Sequence, residues 1–213
     1  MGKRFQGRYL VATTSGTSGL RGIFLQDERS LAVGNAVGQR ARAGLGVGDL
    51  VRLMRGAGRT AIVSAPPGHF STVAGAVRFR RDHPRLGWML REFSIHKPLP
   101  QLAAELNRYN PSSLTGFSSM LGLLAAEQEA GRLRIHPGMI IAGGEALTAE
   151  NRARIAAAFH AQVRSAYAAT ECGFLAYGCA HNSLHVDTDW VVLEPVDADH
   201  RPVPPGRPRT RSC

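Results

Sequence analysis

The sequence predicts an α/β fold, because short β-type runs alternate with helical ones along its 213 residues. Apolar, β-branched runs at residues 60–64 and 139–142 are typical of buried strands. Between them, Leu99, Leu102 and Leu106 recur at helical spacing, which indicates a helix with one apolar face. A chain of this length can also bury a sizeable core.

The predicted elements follow one another without an internal repeat or a low-complexity linker. We expect strands at residues 9–12, 60–64, 113–115, 139–142 and 163–167, and a pair of strands within 183–196. We expect helices at residues 30–43, 99–110 and 117–131, and one more that Thr148 caps. Asn110-Pro111 and Gly131 are typical helix ends.

The charge of the chain is strongly positive, with a formal net value of +10 from 26 Lys and Arg against 16 Asp and Glu. Only Lys3 and Lys97 are lysines, so arginine supplies nearly all of this charge. The densest arginine groups, at residues 78–85 and 201–211, are not interleaved with the aromatic side chains that single-strand binders use. A GC-rich genome, whose codons favour arginine, explains the charge better than nucleic-acid binding does. Nucleic-acid binding stays as a less favoured alternative.

Cysteine usage and hydropathy indicate a protein of the cytoplasm. The three cysteines, Cys172, Cys179 and Cys213, do not make a disulfide framework. No stretch approaches the roughly 20 apolar residues that span a bilayer, and no apolar run follows the charged start at Lys3 and Arg4. We therefore expect a cytoplasmic protein with reduced thiols and no membrane segment.

The most distinctive motif is Thr-Thr-Ser-Gly-Thr-Ser-Gly at residues 13–19, directly after a predicted strand. Its glycines allow backbone N–H groups to converge on an anion, and its hydroxyls add further donors. The spacing is not that of a Walker loop, which ends in Gly-Lys-Ser/Thr. By composition alone, such a cluster is more often a flexible turn than a phosphate site.

The order of residues in this motif resembles the phosphate-binding loop of the adenylate-forming superfamily, which includes acyl- and aryl-CoA ligases. Residues 143–147 resemble the adenine-side strand and turn of that family, and residues 167–171 its Tyr-Gly-X-Thr-Glu segment, with Ala168 in place of glycine. Residues 185–197 are similar to the stretch that follows in phenylacetate–CoA ligases. The resemblance implies an incomplete large N-terminal domain, with a mixed sheet flanked by helices and a small β-rich segment near the C-terminus.

The resemblance also implies a role for each matching residue. Ser15, Gly16, Thr17, Ser18 and Gly19 would wrap the β- and γ-phosphates of ATP, Gly144 and Glu145 would line the adenine pocket, Tyr167 would stack on the ring, Thr170 would contact the α-phosphate, and Glu171 would hold Mg²⁺. Thr170 and Glu171 are the expected catalytic pair. The implied ligands are ATP or AMP with Mg²⁺, CoA as co-substrate, and a small-molecule carboxylate, with an aryl acid expected.

Two further sets of residues are candidates for a pocket and a metal site. By resemblance, His69 and Phe70 border the carboxylate pocket, and Phe117 lines it. The sequence also carries a C-x6-C-x-H-x3-H pattern, formed by Cys172, Cys179, His181 and His185, whose thiolates and imidazoles could hold a structural Zn²⁺. Its spacing is not that of a zinc finger, and ordinary cysteines with surface histidines are the favoured interpretation.

These observations divide the chain into a partial AMP-binding domain at residues 1–197 and an irregular Pro/Arg-rich tail at 198–213. The segments that carry the family's ribose-binding aspartate and catalytic lysine have no counterpart, so we expect a truncated ligase whose reading frame is interrupted near the tail. The expected activity is ATP-dependent conversion of a carboxylate to an acyl-adenylate and a CoA thioester, by a fragment without full activity. A non-catalytic ATP- or AMP-binding remnant is the alternative.

Overall fold

The computed structural model of the chain describes residues 4–14, 19–42, 45–65, 71–179, 183–197 and 199–203. In chain order the elements are β1 (Leu10–Thr13), β2 (Ile23–Gln26), α1 (Glu28–Arg40), α2 (Val47–Arg55), β3 (Thr60–Ser64), α3 (Ser71–Asp82), β4 (Leu90–Ser94), α4 (Leu99–Tyr109), β5 (Ser113–Gly116), α5 (Ser118–Glu129), β6 (Met139–Gly143), α6 (Ala149–Phe159), β7 (Gln162–Ala169), β8 (Gly173–Gly178) and β9 (Leu184–Val186). A short 3-10 helix, Gly87–Met89, precedes β4. No helix of the described ranges is both long and apolar enough to cross a membrane.

The centre of the fold is a seven-stranded mixed sheet with the strand order β4-β3-β5-β6-β7-β8-β9. The first five strands are parallel, and β8 and β9 continue the sheet in antiparallel pairing. The chain runs outward from β3 to β4 and then crosses back to β5, so the strand order reverses between β3 and β5. Open α/β sheets bind ligands at the carboxyl ends of the strands beside such a reversal. The predicted α/β architecture is confirmed.

The hydrophobic core lies on one face of this sheet, under helices α4, α5 and α6. Strand side chains alternate between the faces, so every second residue of β3, β5 and β6 enters the core. The core side chains are Ala61, Val63, Phe93, Leu102, Leu106, Leu114, Leu121, Leu124, Ile140, Ile155, Phe159 and Val163. This layer holds the parallel strands, and therefore their carboxyl ends, in a fixed position.

Helices α1 and α2 are anchored mainly by polar contacts. Arg40 at the end of α1 donates to Asp187 and to Asp189 at 2.7 Å each, and Asp187 is almost fully buried. Asp49 of α2 accepts from the side-chain amide of Gln162 on β7 at 2.8 Å. These contacts tie the first third of the chain to the antiparallel end of the sheet.

Several predicted helix boundaries are confirmed in detail. Asn110 ends α4 in the left-handed conformation, at φ 47°, and its N–H donates to the Leu106 carbonyl. Thr148 caps α6, since its hydroxyl accepts a hydrogen bond from the Asn151 N–H at 3.1 Å. Gly131 follows α5 at φ 71°, a conformation that suits glycine.

The predicted pair of strands within residues 183–196 is wrong. Only β9 (Leu184–Val186) forms there, and its partner is β8, which precedes it in the chain. Val196 makes a single isolated bridge with Pro202 instead of a strand. Strand β8 was missed because glycines bound it at both ends and its residues do not alternate in polarity.

Candidate functional site

The predicted site residues lie in the segments that follow the parallel strands at their carboxyl ends. Phe117 follows β5, Gly144 follows β6, and Thr170 follows β7. Since β5, β6 and β7 are neighbouring parallel strands, these segments meet at one edge of the sheet. Sequence positions more than fifty residues apart are thus brought to one place.

The turn after β6 depends on a glycine that contacts Phe117. Gly144 has φ +76°, a conformation that side chains disfavour, and a Cβ placed there would lie 2.8 Å from a ring carbon of Phe117. Gly143, one residue earlier, has no such conflict, since its Cβ would be 3.4 Å from the Ala166 carbonyl oxygen. The turn therefore packs its backbone against the Phe117 ring.

Glu145 holds this turn to the first residues of α5. Its carboxylate accepts a hydrogen bond from the Ser119 N–H at 2.9 Å and another from the Ser119 hydroxyl at 3.1 Å. A carboxylate at a helix N-terminus satisfies free N–H groups and complements the helix dipole. Phe117, Gly144 and Glu145 are thus one contiguous unit, in which Ser119 is a partner that the sequence did not reveal.

Tyr167, Thr170 and Glu171 form the neighbouring side of the site. Strand β7 pairs with β6 up to Ala166, opposite Gly143, so Tyr167 lies one residue beyond the pairing and is 52% exposed. The register of β7 against β8 shifts between Tyr167 and Ala168. Thr170 and Glu171 lie in the turn that follows, and neither side chain forms a hydrogen bond or an ion pair within the described ranges. Both side chains are therefore available to a ligand.

The glycine- and hydroxyl-rich motif falls in the sequence between β1 and β2, which pair as an antiparallel hairpin. The base of the loop is closed by two hydrogen bonds between Thr14 and Gly22: the Thr14 N–H donates to the Gly22 carbonyl at 3.1 Å, and the Gly22 N–H to the Thr14 hydroxyl at 2.8 Å. Gly19 has φ +111°, which only glycine adopts readily. The hairpin contacts α3, the helix that follows β3. Ser15, Gly16, Thr17 and Ser18 lie outside the described residues.

The fold separates the two cysteines of the proposed zinc set. Cys172 and Cys179 flank the six-residue strand β8, and at the rise of a β-strand they are roughly 23 Å apart. Partial burial, and after it the nearby Glu171 carboxylate, raise the pKa of the Cys172 thiol, which disfavours a metal-binding thiolate. The described residues contain no group of three or more His, Cys, Asp or Glu that could hold a metal ion. The separation of the two thiols and the raised pKa of Cys172 both argue against one site that contains Cys172 and Cys179.

The remaining members of that set have other contacts. The Cys179 N–H donates to the Ser183 carbonyl at 3.0 Å. The His185 ring stacks on Tyr177, with the ring centroids 5.6 Å apart. His181 lies outside the described residues, as do the pocket candidates His69 and Phe70.

Two further residues at the carboxyl edge bear on the chemistry. Lys97 follows β4, and its Nζ donates to both carboxylate oxygens of Glu105, at 2.7 and 2.8 Å. The Lys97 ammonium is thus engaged in the fold and not directed at a ligand. Ser64 ends β3 at the strand-order reversal, and its buried hydroxyl has no hydrogen-bond partner in the described part of the chain.

Comparison with protein-family models gives no match to the sequence, and comparison with curated proteins gives none either. Solved structures of ligases do match the fold. A 2-hydroxyisobutyryl-CoA ligase, in complex with 2-HIB-AMP and CoA in the thioesterification state, superposes with a TM-score of 0.65 at 21% identity, over 94% of this chain and 42% of the ligase. A benzoate CoA ligase from Burkholderia xenovorans LB400 gives a TM-score of 0.58 at 16% identity, over 88% and 37%.

A luciferase-like enzyme from the mealworm Zophobas morio also matches, with a TM-score of 0.61 at 18% identity, over 92% of this chain and 45% of that enzyme. The chain thus spans less than half the length of each of these proteins. At such low identities the comparison establishes the fold and not the activity. The chain has the fold of the N-terminal domain of adenylate-forming ligases.

Proposed function

We propose that the carboxyl edge of the sheet is a nucleotide site at which ATP activates a carboxylate to an acyl-adenylate, on the way to a CoA thioester. The observation that carries this proposal is the convergence of the Phe117–Gly144–Glu145 unit with Thr170 and Glu171, whose side chains have no hydrogen-bond or ion-pair partner in the described ranges. The fold supports it, because a ligase with this fold was solved with an acyl-AMP and CoA bound.

Each side chain at this edge has a role that fits its exposure and chemistry. The half-exposed ring of Tyr167 can stack on adenine beside the Gly144 turn. The Thr170 hydroxyl can donate to an α-phosphate oxygen. The exposed carboxylate of Glu171 is a hard oxygen ligand that suits Mg²⁺, which would neutralise phosphate charge as the carboxylate attacks.

The finer assignments extend the same proposal. The loop residues 15–19 would bind the β- and γ-phosphates of ATP, and His69, Phe70 and Phe117 would border the carboxylate pocket. We propose an aryl acid as substrate and a phenylacetate–CoA ligase-like protein of the cytoplasm, from the resemblance of residues 143–147, 167–171 and 185–197 to that family.

A second candidate is a protein that binds ATP or AMP without turning it over. One observation favours it: Lys97, at the carboxyl edge of the sheet, is paired with Glu105 and is not directed at a ligand. The two candidates share the site and differ only in whether pyrophosphate is released.

Two measurements test the proposal, namely equilibrium binding of ATP and carboxylate-dependent exchange of pyrophosphate into ATP. We expect Tyr167→Ala to weaken ATP binding roughly tenfold, since stacking of a base on an aromatic ring contributes about 1–3 kcal/mol. We expect Glu171→Gln to lower exchange on the order of 100-fold, as the loss of one group that stabilises transition-state charge does.

The matched control is Tyr177→Ala, which removes a tyrosine from the neighbouring strand β8, where it stacks on His185. This variant should bind ATP as the parent protein does. ATP binding without exchange for any aryl or alkyl carboxylate would select the non-catalytic alternative. A folded chain that does not bind ATP would refute both candidates.

A further inference from the structure

The opposite edge of the sheet carries three arginines around two aromatic rings. Arg59 immediately precedes β3, Trp88 lies in the 3-10 helix before β4, and Tyr109 ends α4 just ahead of β5. Arg85 and Arg91 flank Trp88 in the chain. We call Arg59, Arg85, Arg91, Trp88 and Tyr109 the arginine–aromatic surface. It lies at the amino ends of the parallel strands, whereas the proposed nucleotide site lies at their carboxyl ends.

Hydrogen bonds and a cation–π contact link these side chains into one surface. The Tyr109 hydroxyl lies 3.1 Å from the Trp88 carbonyl oxygen, to which it can donate, and the Trp88 indole N–H donates to the Arg85 carbonyl at 3.1 Å. The Arg91 guanidinium carbon lies 5.9 Å from the centre of the Tyr109 ring, within reach of a cation–π interaction. Arg59 Nε donates to the Asn110 carbonyl, beside Tyr109, at 3.0 Å. The rings and the cations are therefore held next to one another.

The arginines of this surface form no ion pair within the described ranges. Arg59, Arg85 and Arg91 form no salt bridge with a described carboxylate, whereas Arg80 pairs with Glu92 and Arg154 with Glu129. The Trp88 side chain is 52% exposed although its N–H is hydrogen-bonded, so its ring is oriented and accessible. The indole face and the guanidinium groups of this surface are thus open to a ligand together.

The fold assembles this surface from distant parts of the sequence. Taken along the chain, the arginines of residues 78–85 have no interleaved aromatic residue except Phe79, whose ring packs at a tilt against His83. Folding adds Arg59 from just before β3, Arg91 from the adjacent strand β4 and Tyr109 from α4. Only Arg85 of this surface belongs to the dense arginine groups of the sequence, so the surface is a product of the fold.

We propose that the arginine–aromatic surface binds single-stranded nucleic acid. The guanidinium groups of Arg59, Arg85 and Arg91 would contact phosphates, and the exposed face of Trp88 would stack on a base. Stacking platforms combined with cations are the usual means of binding single strands, because unpaired bases expose their faces whereas duplex bases do not. An acidic peptide would satisfy the charges but would leave the indole without a stacking partner.

The test measures fluorescence anisotropy of a fluorescein-labelled oligothymidylate of roughly 16 nucleotides, which matches the upper site size of single-strand binding domains. The full chain is titrated at several salt concentrations. We expect Trp88→Ala to weaken binding about tenfold at every salt concentration. We expect Arg91→Ala to weaken binding and to reduce the slope of log affinity against log salt by about 0.7, the value for one phosphate contact on a single strand.

The matched control is Arg29→Ala, which removes one exposed arginine from α1, a helix that contacts β2 and β8. This variant has the same net charge as Arg91→Ala and should bind with nearly the parent affinity. Circular dichroism melts of all variants report whether each remains folded. Trp88 fluorescence, followed in a Trp190→Phe background, should be quenched on binding if a base stacks on the indole.

Three results would overturn the proposal: no binding at low salt, equal losses in Arg29→Ala and Arg91→Ala, or a folded Trp88→Ala variant that binds as the parent does. Tighter binding of an acidic peptide of the same charge would also overturn it. Saturating ATP should not displace the oligonucleotide, because the two proposed sites lie at opposite edges of the sheet. We expect this whether or not ATP is turned over. The proposal of a single-strand surface and the proposal of a nucleotide site can therefore fail independently of each other.

Discussion

Leu124→Ala is expected to lower the free energy of unfolding by about 2–5 kcal/mol. Leu124 is fully buried at the centre of the layer formed by α4, α5 and α6. Truncation to alanine removes apolar area from the core and leaves a cavity that the close-packed neighbours fill only in part. Since domains of this size are stable by about 5–15 kcal/mol, this one change would remove a large fraction of the total.

Leu123 provides a matched control on the same helix. It is the same residue type one position earlier in α5, but its side chain is 50% exposed. Leu123→Ala should therefore change the free energy of unfolding by no more than about 0.5 kcal/mol. Urea denaturation followed by circular dichroism measures both variants. Similar losses for the two would mean that α5 does not pack on the sheet in this orientation.

Gly144→Ala is expected to cost about 1–3 kcal/mol of stability and to weaken ATP binding. The added Cβ must adopt φ +76° and would lie 2.8 Å from the Phe117 ring, so either the turn or the ring has to move. Glu145 is bonded to Ser119 across the same turn, and a shift would disturb that contact as well. Thermal unfolding and ATP titration measure the two effects on one sample.

The control for this substitution is Gly143→Ala, one residue earlier. Its Cβ would lie 3.4 Å from the Ala166 carbonyl oxygen, an ordinary contact, and its φ is not in the left-handed region. We expect this variant to melt and to bind ATP nearly as the parent does. If Gly143→Ala and Gly144→Ala weakened ATP binding equally, the Gly144–Phe117 contact would not be what shapes the site.

Much of the parallel sheet could be predicted from the sequence. The runs at residues 60–64 and 139–142 have an apolar centre that is typical of buried strands, and the structure has strands there. Helix ends at Asn110 and Thr148 were predictable because each uses a local device, a left-handed cap and a hydroxyl cap. Local chemistry of this kind is visible in a single sequence.

The elements that were missed lack such local signals. Strand β4, Leu-Arg-Glu-Phe-Ser, lies at the edge of the sheet, where charged residues are tolerated and the apolar run is broken. Helix α2 has no buried residue and leaves Val47 and Met54 largely exposed, so its apolar positions do not mark a core. Strand β2 is only four residues long and pairs with β1 alone.

In the candidate site, too, some features have local sequence signals and others depend on the whole sheet. The order of the motifs at residues 143–147 and 167–171 was readable, whereas their meeting depends on β5, β6 and β7 being neighbours, a property of the sheet. The bond between Glu145 and Ser119 and the separation of Cys172 from Cys179 are likewise long-range consequences of strand order and length. Spacing along the chain could not show that Glu145 and Ser119 meet whereas Cys172 and Cys179 do not.

The location of the nucleotide site is tested most directly by photolabelling the full chain with 8-azido-ATP and identifying the modified peptides. We expect label in peptides that contain the Gly144–Glu145 turn or the segment from Tyr167 to Glu171, and we expect excess ATP to prevent it. Label confined to peptides of the opposite edge, around Arg59 or Trp88, or label that excess ATP does not reduce, would contradict a nucleotide site at the carboxyl ends of the strands.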